Sequence, residues 1–243
     1  MKKLSAIFAI LVVLFAVTNS FAQPQVTVHV TGGYNLPMSD FKGTIGTDTA
    51  GTNYLQKSGF VVGADGKYFL GKKRNVGITL SLGYNSFSSG TYTATNGSTE
   101  VVKFNTFTVG LGAEYDFMPK GKVNPFLGVE FTGNFFGGKA TFTPSGGTAT
   151  DFTLNSASRF GFAGNFGADF ALSKMIGVVV GLKYNMANLI GKKFDSTNTT
   201  ANSFSLDDAA NGSGTITSKS IGWLSIYGGV SFYFNKPKIM KKK

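Results

Sequence analysis

The sequence predicts an all-β fold: an eight-stranded antiparallel up-and-down transmembrane β-barrel, preceded by a cleaved signal peptide. Three observations carry the prediction. Apolar and polar residues alternate with period two along most of the chain, the connections between alternating segments are short and long by turns, and the N-terminus reads as an export leader.

The leader sets the compartment. Lys2 and Lys3 give a positive start, Leu4 to Val17 an apolar run, and Ser20-Phe21-Ala22 small residues at the positions a signal peptidase reads, so cleavage is expected between Ala22 and Gln23. The apolar run is short of the ~20 residues of a spanning helix. The chain therefore divides into a signal peptide at 1–22, a barrel at 23–234 and a basic periplasmic tail at 235–243. There is no Cys, so an exported fold must hold without disulfides, as a closed barrel can by backbone pairing. Charged residues are 14 % of the chain, against about 25 % in ordinary soluble domains. The net charge of +11 is scattered or terminal rather than gathered on one face, which argues against nucleic acid and points to anionic lipid or the cell wall as the partner.

The strands follow from alternation. In Val76 to Asn85 one face reads Val, Ile, Leu, Leu, Tyr and the other Gly, Thr, Ser, Gly, Asn; Phe107 to Phe117 and Phe160 to Leu172 repeat the pattern. Eight segments result: Gln25–Leu36, Gly59–Leu70, Asn75–Phe87, Glu100–Phe117, Pro125–Phe136, Ser158–Leu172, Ile176–Leu189 and Lys219–Phe234. Each can cross an apolar slab, which takes ~9–11 tilted residues. Connections at 71–74, 118–124 and 173–175 are short; those at 37–58, 88–99, 137–157 and 190–218 are longer and rich in Gly, Ser, Thr and Asn. Outer-membrane barrels have this arrangement, with short periplasmic turns, long extracellular loops and, for an even strand number, both termini in the periplasm.

Side-chain size orients the faces. The polar face carries mainly Gly, Ser, Thr, Asn and Ala, which suits a crowded interior rather than a water-washed exterior. The apolar face carries aliphatic residues with aromatics near strand ends. Tyr34, Phe60, Tyr84, Phe131 and Tyr184 are expected at the extracellular rim, and Tyr68, Phe117, Phe126, Phe170 and Phe234 at the periplasmic rim. Trp223 and Tyr227 fall on the inward register of the last strand, either packing the lumen or marking a bulge near Gly228-Gly229.

In the last strand Ile226, Gly228, Val230, Phe232 and Phe234 alternate and close on an aromatic residue. This resembles the C-terminal signal that outer-membrane barrels present to the barrel assembly machinery. With the eight strands, and with Tyr34-Asn35-Leu36-Pro37 followed by Asp40-Phe41, the chain resembles small barrels of the OmpA transmembrane-domain and OmpX kind, in the outer membrane protein β-barrel domain family. The resemblance implies a monomer embedded in outer-membrane lipid. A tail of five lysines past Phe234 departs from it.

His29, Asp65, Lys67, Glu114, Asp116, Glu130, Asp169 and Lys183 all fall on the inward face, mostly in its periplasmic half. Buried charges need partners, so an ion-paired, hydrated lumen network is expected. Such a network plugs the barrel; its carboxylates alternatively line a narrow cation-preferring path. One His near the periplasmic rim and no Cys argue against a serine–histidine pair at the outer rim and a zinc site. The adjacent Asp207 and Asp208 read as solvated loop, with Ca²⁺ ligation as the alternative. Lys72, Lys73, Arg74, Lys120, Lys122, Lys174 and the tail lysines map to the periplasmic side, facing anionic head groups or solvent. The expected function is that of a non-enzymatic barrel without cofactors or metals. Its four extracellular loops would serve adhesion, another surface interaction with an extracellular ligand, or membrane integrity; the alternative is the narrow channel.

Overall fold

A computed structural model describes residues 24–45, 53–71, 73–195, 201–211 and 217–234. The signal peptide with its Ala22–Gln23 junction, Lys72 and the tail at 235–243 lie outside the described residues. The described strands, in chain order, are β1 (Val26–Met38), β2 (Ser58–Leu70), β3 (Val76–Ser88), β4 (Tyr92–Thr93), β5 (Thr99–Asp116), β6 (Val123–Thr143), β7 (Thr150–Leu154), β8 (Ala157–Ala171), β9 (Ile176–Ile190), β10 (Ser203–Phe204) and β11 (Gly222–Phe234). Eight of them are at least 13 residues long, and each pairs antiparallel with its neighbour. The ring runs β1-β2-β3-β5-β6-β8-β9-β11 and closes where β11 pairs with β1, from Val26↔Phe234 to Met38↔Gly222. Closure leaves the barrel strands no free edge. Among the described residues no helix is long and apolar enough to cross a membrane.

Alternation becomes sidedness. Val30, Val62, Leu80, Leu111, Val129, Phe166, Val180 and Ile226 are exposed around the outside, while the intervening polar residues are buried within. Tyr34, Phe60, Tyr84, Phe131 and Tyr184 face outward, as do Tyr68, Phe117 and Phe234. Phe126 does not. It is only 1 % exposed and points into the lumen, because it shares the even register of Glu130 and Thr132 on β6, a parity that outweighs its place near a rim. The register of β11 against both β1 and β9 is unbroken, so Trp223 and Tyr227 point inward without a bulge. Gly181, paired with Tyr227, makes the room: a Cβ there would come within 2.5 Å of the phenol oxygen.

The bulge lies in β9 instead. Phe160 pairs with Ile190 and Phe162 with Met186, so Ala187 and Asn188 are both turned inward. The loop end also holds more strand than alternation predicts. β6 continues to Thr143 against the first residues of β5, β7 pairs with that extension, β10 runs parallel to β7, and β4 pairs with β5. Residues expected in a loop at 137–157 therefore build a raised wall on one side of the mouth.

Candidate functional site: the barrel lumen

The eight inward charges form three groups. Lys67, on β2, donates to Glu114 and, at 3.0 Å, to Asp116, both on β5. Its ammonium also lies 5.0 Å from the Phe126 ring centre and 5.2 Å from that of Phe69, so two aromatic faces supplement the carboxylates. Gly77, diagonal to it on β3, gives the lysine stem its space. In the second group His29 bridges two strands: Nδ1 sits 2.8 Å from Asp65, and Nε2 3.5 Å from Asp169. Asp169 also accepts from Ser231 at 2.7 Å and Tyr233 at 2.8 Å, while Phe126 stacks near the imidazole. In the third, nearer mid-barrel, Glu130 accepts from Lys183 at 2.6 Å and Ser81 at 2.7 Å. Asn165 donates to Glu114 at 3.0 Å, and a cavity of about 70 Å³ is lined by Asp65, Glu114, Glu130, Lys183 and Tyr227. A polar void of that size has room for a few waters.

Above the charges lies a layer of neutral amides and hydroxyls. Asn35 donates to Asn85 at 3.0 Å and accepts from Ser225 at 2.6 Å; Thr108 donates to Asn134 at 2.9 Å, and Asn134 to the Ala187 carbonyl at 3.0 Å. These bonds cross the barrel, tying β1, β3, β5, β6, β9 and β11 through the lumen.

The loop end is apolar. Phe41, Tyr54, Phe87, Phe104, Phe136, Leu154, Leu206, Ile221 and Trp223 form one buried cluster over the asparagine layer. Phe41 is the centre: its ring meets Phe87 edge-on at 4.8 Å and Phe104 at 5.8 Å, and Phe87 meets Trp223 at 5.1 Å. Such pairs contribute about 0.5–1.5 kcal/mol each beyond burial. A short 3₁₀ turn at Ser39–Phe41 delivers Phe41, and the loop before β11 delivers Leu206 and Ile221. The fastenings are polar. Tyr54 donates to the Leu206 carbonyl at 2.6 Å, and Asp40 accepts from the Ser220 amide at 2.7 Å. Arg159 grips Asp208 with two bonds of 2.7 and 2.8 Å, and Asn188, turned inward by the bulge, donates to the same carboxylate at 2.9 Å. Burial pushes the Asp208 carboxyl up, but Arg159, the Lys193 amide and Asn188 together hold it below the usual range.

Asp208 is thus a buried anchor rather than solvated loop, while Asp207 accepts from the Asp195 amide. Among the described residues no group of three or more His, Cys, Asp or Glu side chains is placed to hold a metal. Arg159 is absent from the eight inward charges expected from sequence, although it shares the odd register of Asp169 on β8 and is open to the same parity argument. Ile226, Gly228, Val230, Phe232 and Phe234 occupy the outward register of β11. Lys73, Arg74, Lys120, Lys122 and Lys174 sit in the three short turns, at the end opposite the aromatic cluster.

No curated protein matches the chain. Solved structures similar to it include Neisserial surface protein A, at 16 % identity over 86 % of this chain and 97 % of that one, with a TM-score of 0.49. OprG of Pseudomonas aeruginosa is 12 % identical over 89 % and 100 %, at TM-score 0.45. CarO of Acinetobacter baumannii is 13 % identical over 88 % and 100 %, at 0.39. The family model described as "Outer membrane protein beta-barrel domain" matches residues 7–207. The closed eight-stranded ring, its apolar outer belt and that match together place the chain in the outer membrane protein β-barrel domain family, embedded in the bacterial outer membrane.

Proposed function

We propose that this is a non-enzymatic surface barrel whose working parts are its loops, with a lumen that is filled rather than open. The observation that carries the reading is the aromatic cap. A pore needs a wetted path, whereas Phe41, Phe87, Phe104 and Trp223 interlock across the loop end, and the same loops that supply the cap present the outer surface. The ion-paired side chains beneath act as a rigid plug. The short turns and both chain ends face the periplasm, and the outward residues of β11 from Ile226 to Phe234 serve as the signal read by the barrel assembly machinery. Surface interaction or adhesion and membrane integrity both fit a closed scaffold of this kind. The second reading, a narrow cation-preferring path, draws on one observation, the cavity between Asp65, Glu114 and Glu130.

Two experiments test the main reading. Cysteine is absent from the chain, so Thr148→Cys and Lys120→Cys each give a single thiol for a membrane-impermeant maleimide. On intact cells the first labels and the second does not; the reverse result overturns the orientation. In a strain lacking the protein, a barrel with its loop tip at 144–149, which carries no cap residue, replaced by a short turn should fold yet fail to restore surface phenotypes. Full restoration by the trimmed barrel would remove that loop from the function.

A further inference from the structure

At the short-turn end the lumen carries a hollow of about 40 Å³, separate from the mid-barrel cavity. Lys67, Asp116, Asp169 and Tyr233 line it from the strands, and Pro119 and Lys174 from two of the short turns. Space of that size takes a water or a single ammonium group. The hollow borders an unsatisfied anion. Asp116 is fully buried and its Oδ1 accepts from Lys67 at 3.0 Å, yet its Oδ2 has no hydrogen-bond partner among the described residues. A buried carboxylate oxygen without a donor is costly, so this atom marks a place for a cation. The charges of the lumen point the same way. Below the asparagine layer Asp65, Glu114, Asp116, Glu130 and Asp169 meet only Lys67, Lys183 and His29, so even a charged imidazole leaves two negative charges in excess. The Arg159–Asp208 pair, at the other end, is balanced in itself. A buried network tolerates such an excess poorly.

The sequence brings cations to this mouth. β11 ends at Phe234, whose carbonyl accepts from the Gln25 amide, and Tyr233, one residue earlier, lines the hollow and donates to Asp169 at 2.8 Å. The chain continues as Asn-Lys-Pro-Lys-Ile-Met-Lys-Lys-Lys. Pro237 cannot donate a ladder hydrogen bond, and Lys238 is the first lysine beyond it. From Phe234 to Lys238 an extended chain reaches up to about 14 Å, before the lysine stem is added. An eight-stranded barrel is only wide enough for side chains to fill its interior, so that reach covers the mouth.

We propose that the segment 235–243 folds back over the short-turn mouth and seats the Lys238 ammonium in this hollow, against Asp116 Oδ2. Lys67 and Lys238 then face Glu114 and Asp116 as two cations against two anions. The buried ring of Phe69, which borders the same hollow, gives the lysine stem an apolar surface. The chain thereby supplies its own stopper at the end opposite the aromatic cap. The seating depends on the fold alone, and neither on the orientation nor on the closed lumen proposed above.

The test is a distance between two spin labels on the barrel with its full tail, refolded in phosphatidylcholine vesicles. The chain has no Cys, so Lys120→Cys in the β5–β6 turn and Ile239→Cys beside Lys238 take one label each. A seated segment gives one narrow distance distribution. A hydrogen bond to a charged group shifts an equilibrium by about tenfold or more, so Lys238→Gln, and equally Asp116→Asn, should cut the narrow fraction roughly tenfold. Removing more charge farther along, with Lys241→Gln/Lys242→Gln/Lys243→Gln, should leave it unchanged. The urea midpoint gives a second readout: Lys238→Gln should lower it in the parent chain and leave it unmoved beside Asp116→Asn. A broad distribution in the parent chain, a narrow one indifferent to Lys238→Gln, or equal broadening by the triple variant would overturn the proposal. So would a narrow distribution that forms only when phosphatidylglycerol is added to the vesicles, which would assign the lysines to lipid head groups instead.

Discussion

At the short-turn end the lumen is filled by charged side chains that the barrel strands themselves carry: Lys67 between Glu114 and Asp116, and His29 between Asp65 and Asp169. At the loop end it is filled by rings and aliphatic groups, with Phe41, Tyr54, Leu206 and Ile221 brought in by connecting segments. The two fillings fail differently. Removing one ion from the first strands its partners in a low-dielectric interior. Removing one ring from the second leaves a cavity, and the neighbouring loops can move to shrink it.

Variants sharpen that contrast. The largest loss is expected for Lys67→Met, which leaves Glu114 and Asp116 without their cation and should cost about 3–5 kcal/mol, read from the urea midpoint in vesicles. Adding Glu114→Gln and Asp116→Asn to it should recover most of the loss; a single variant no weaker than wild type would mean the three groups are not mutually dependent. Phe41→Ala should cost about 3 kcal/mol, the low end for such truncations because the loops can close in, and act locally. Trp223 is the only tryptophan and is fully buried, so its emission should shift to the red and become open to acrylamide while the barrel strands stay protected from exchange.

Asp208→Asn should cost about 1–3 kcal/mol, again read at Trp223. Because the Asp208 carboxyl is held below its usual range, its contribution is complete above the unfolded value of about 4 and is lost as pH falls through the lower folded value. Acid below pH 4 should therefore loosen the wild-type cap, and the variant should lack that transition. The smallest effect belongs to Asp151→Asn, whose ion pair with Lys139 is half exposed and should give no measurable change in the unfolding midpoint.

The same contrast decides what can be read from the amino-acid order. Parity along a strand gives sidedness, so the eight barrel strands and the inward placement of His29, Lys67 and Glu130 follow from counting by twos. Phe126 and Arg159 are legible by the same rule, once parity is ranked above nearness to a rim and is followed to the loop end of β8. The cap is not legible. Nothing local marks Phe41, in a segment of Ser, Asp and Gly, as the partner of Trp223, which lies 182 residues further along the chain and 6.1 Å away across the lumen. Likewise the inward turn of Asn188 depends on a bulge, which parity cannot anticipate, and the burial of Asp208 depends on a loop folding back onto Arg159.

On the proposed reading, these two fillings together close the lumen. Ion conductance of the refolded barrel in a planar bilayer, across a range of salt, tests it most directly. A closed barrel gives no stable conducting events, whether or not the charges below are intact. Steady cation-selective conductance that falls in Glu114→Gln or Asp116→Asn would contradict the account and make the carboxylates the lining of a path.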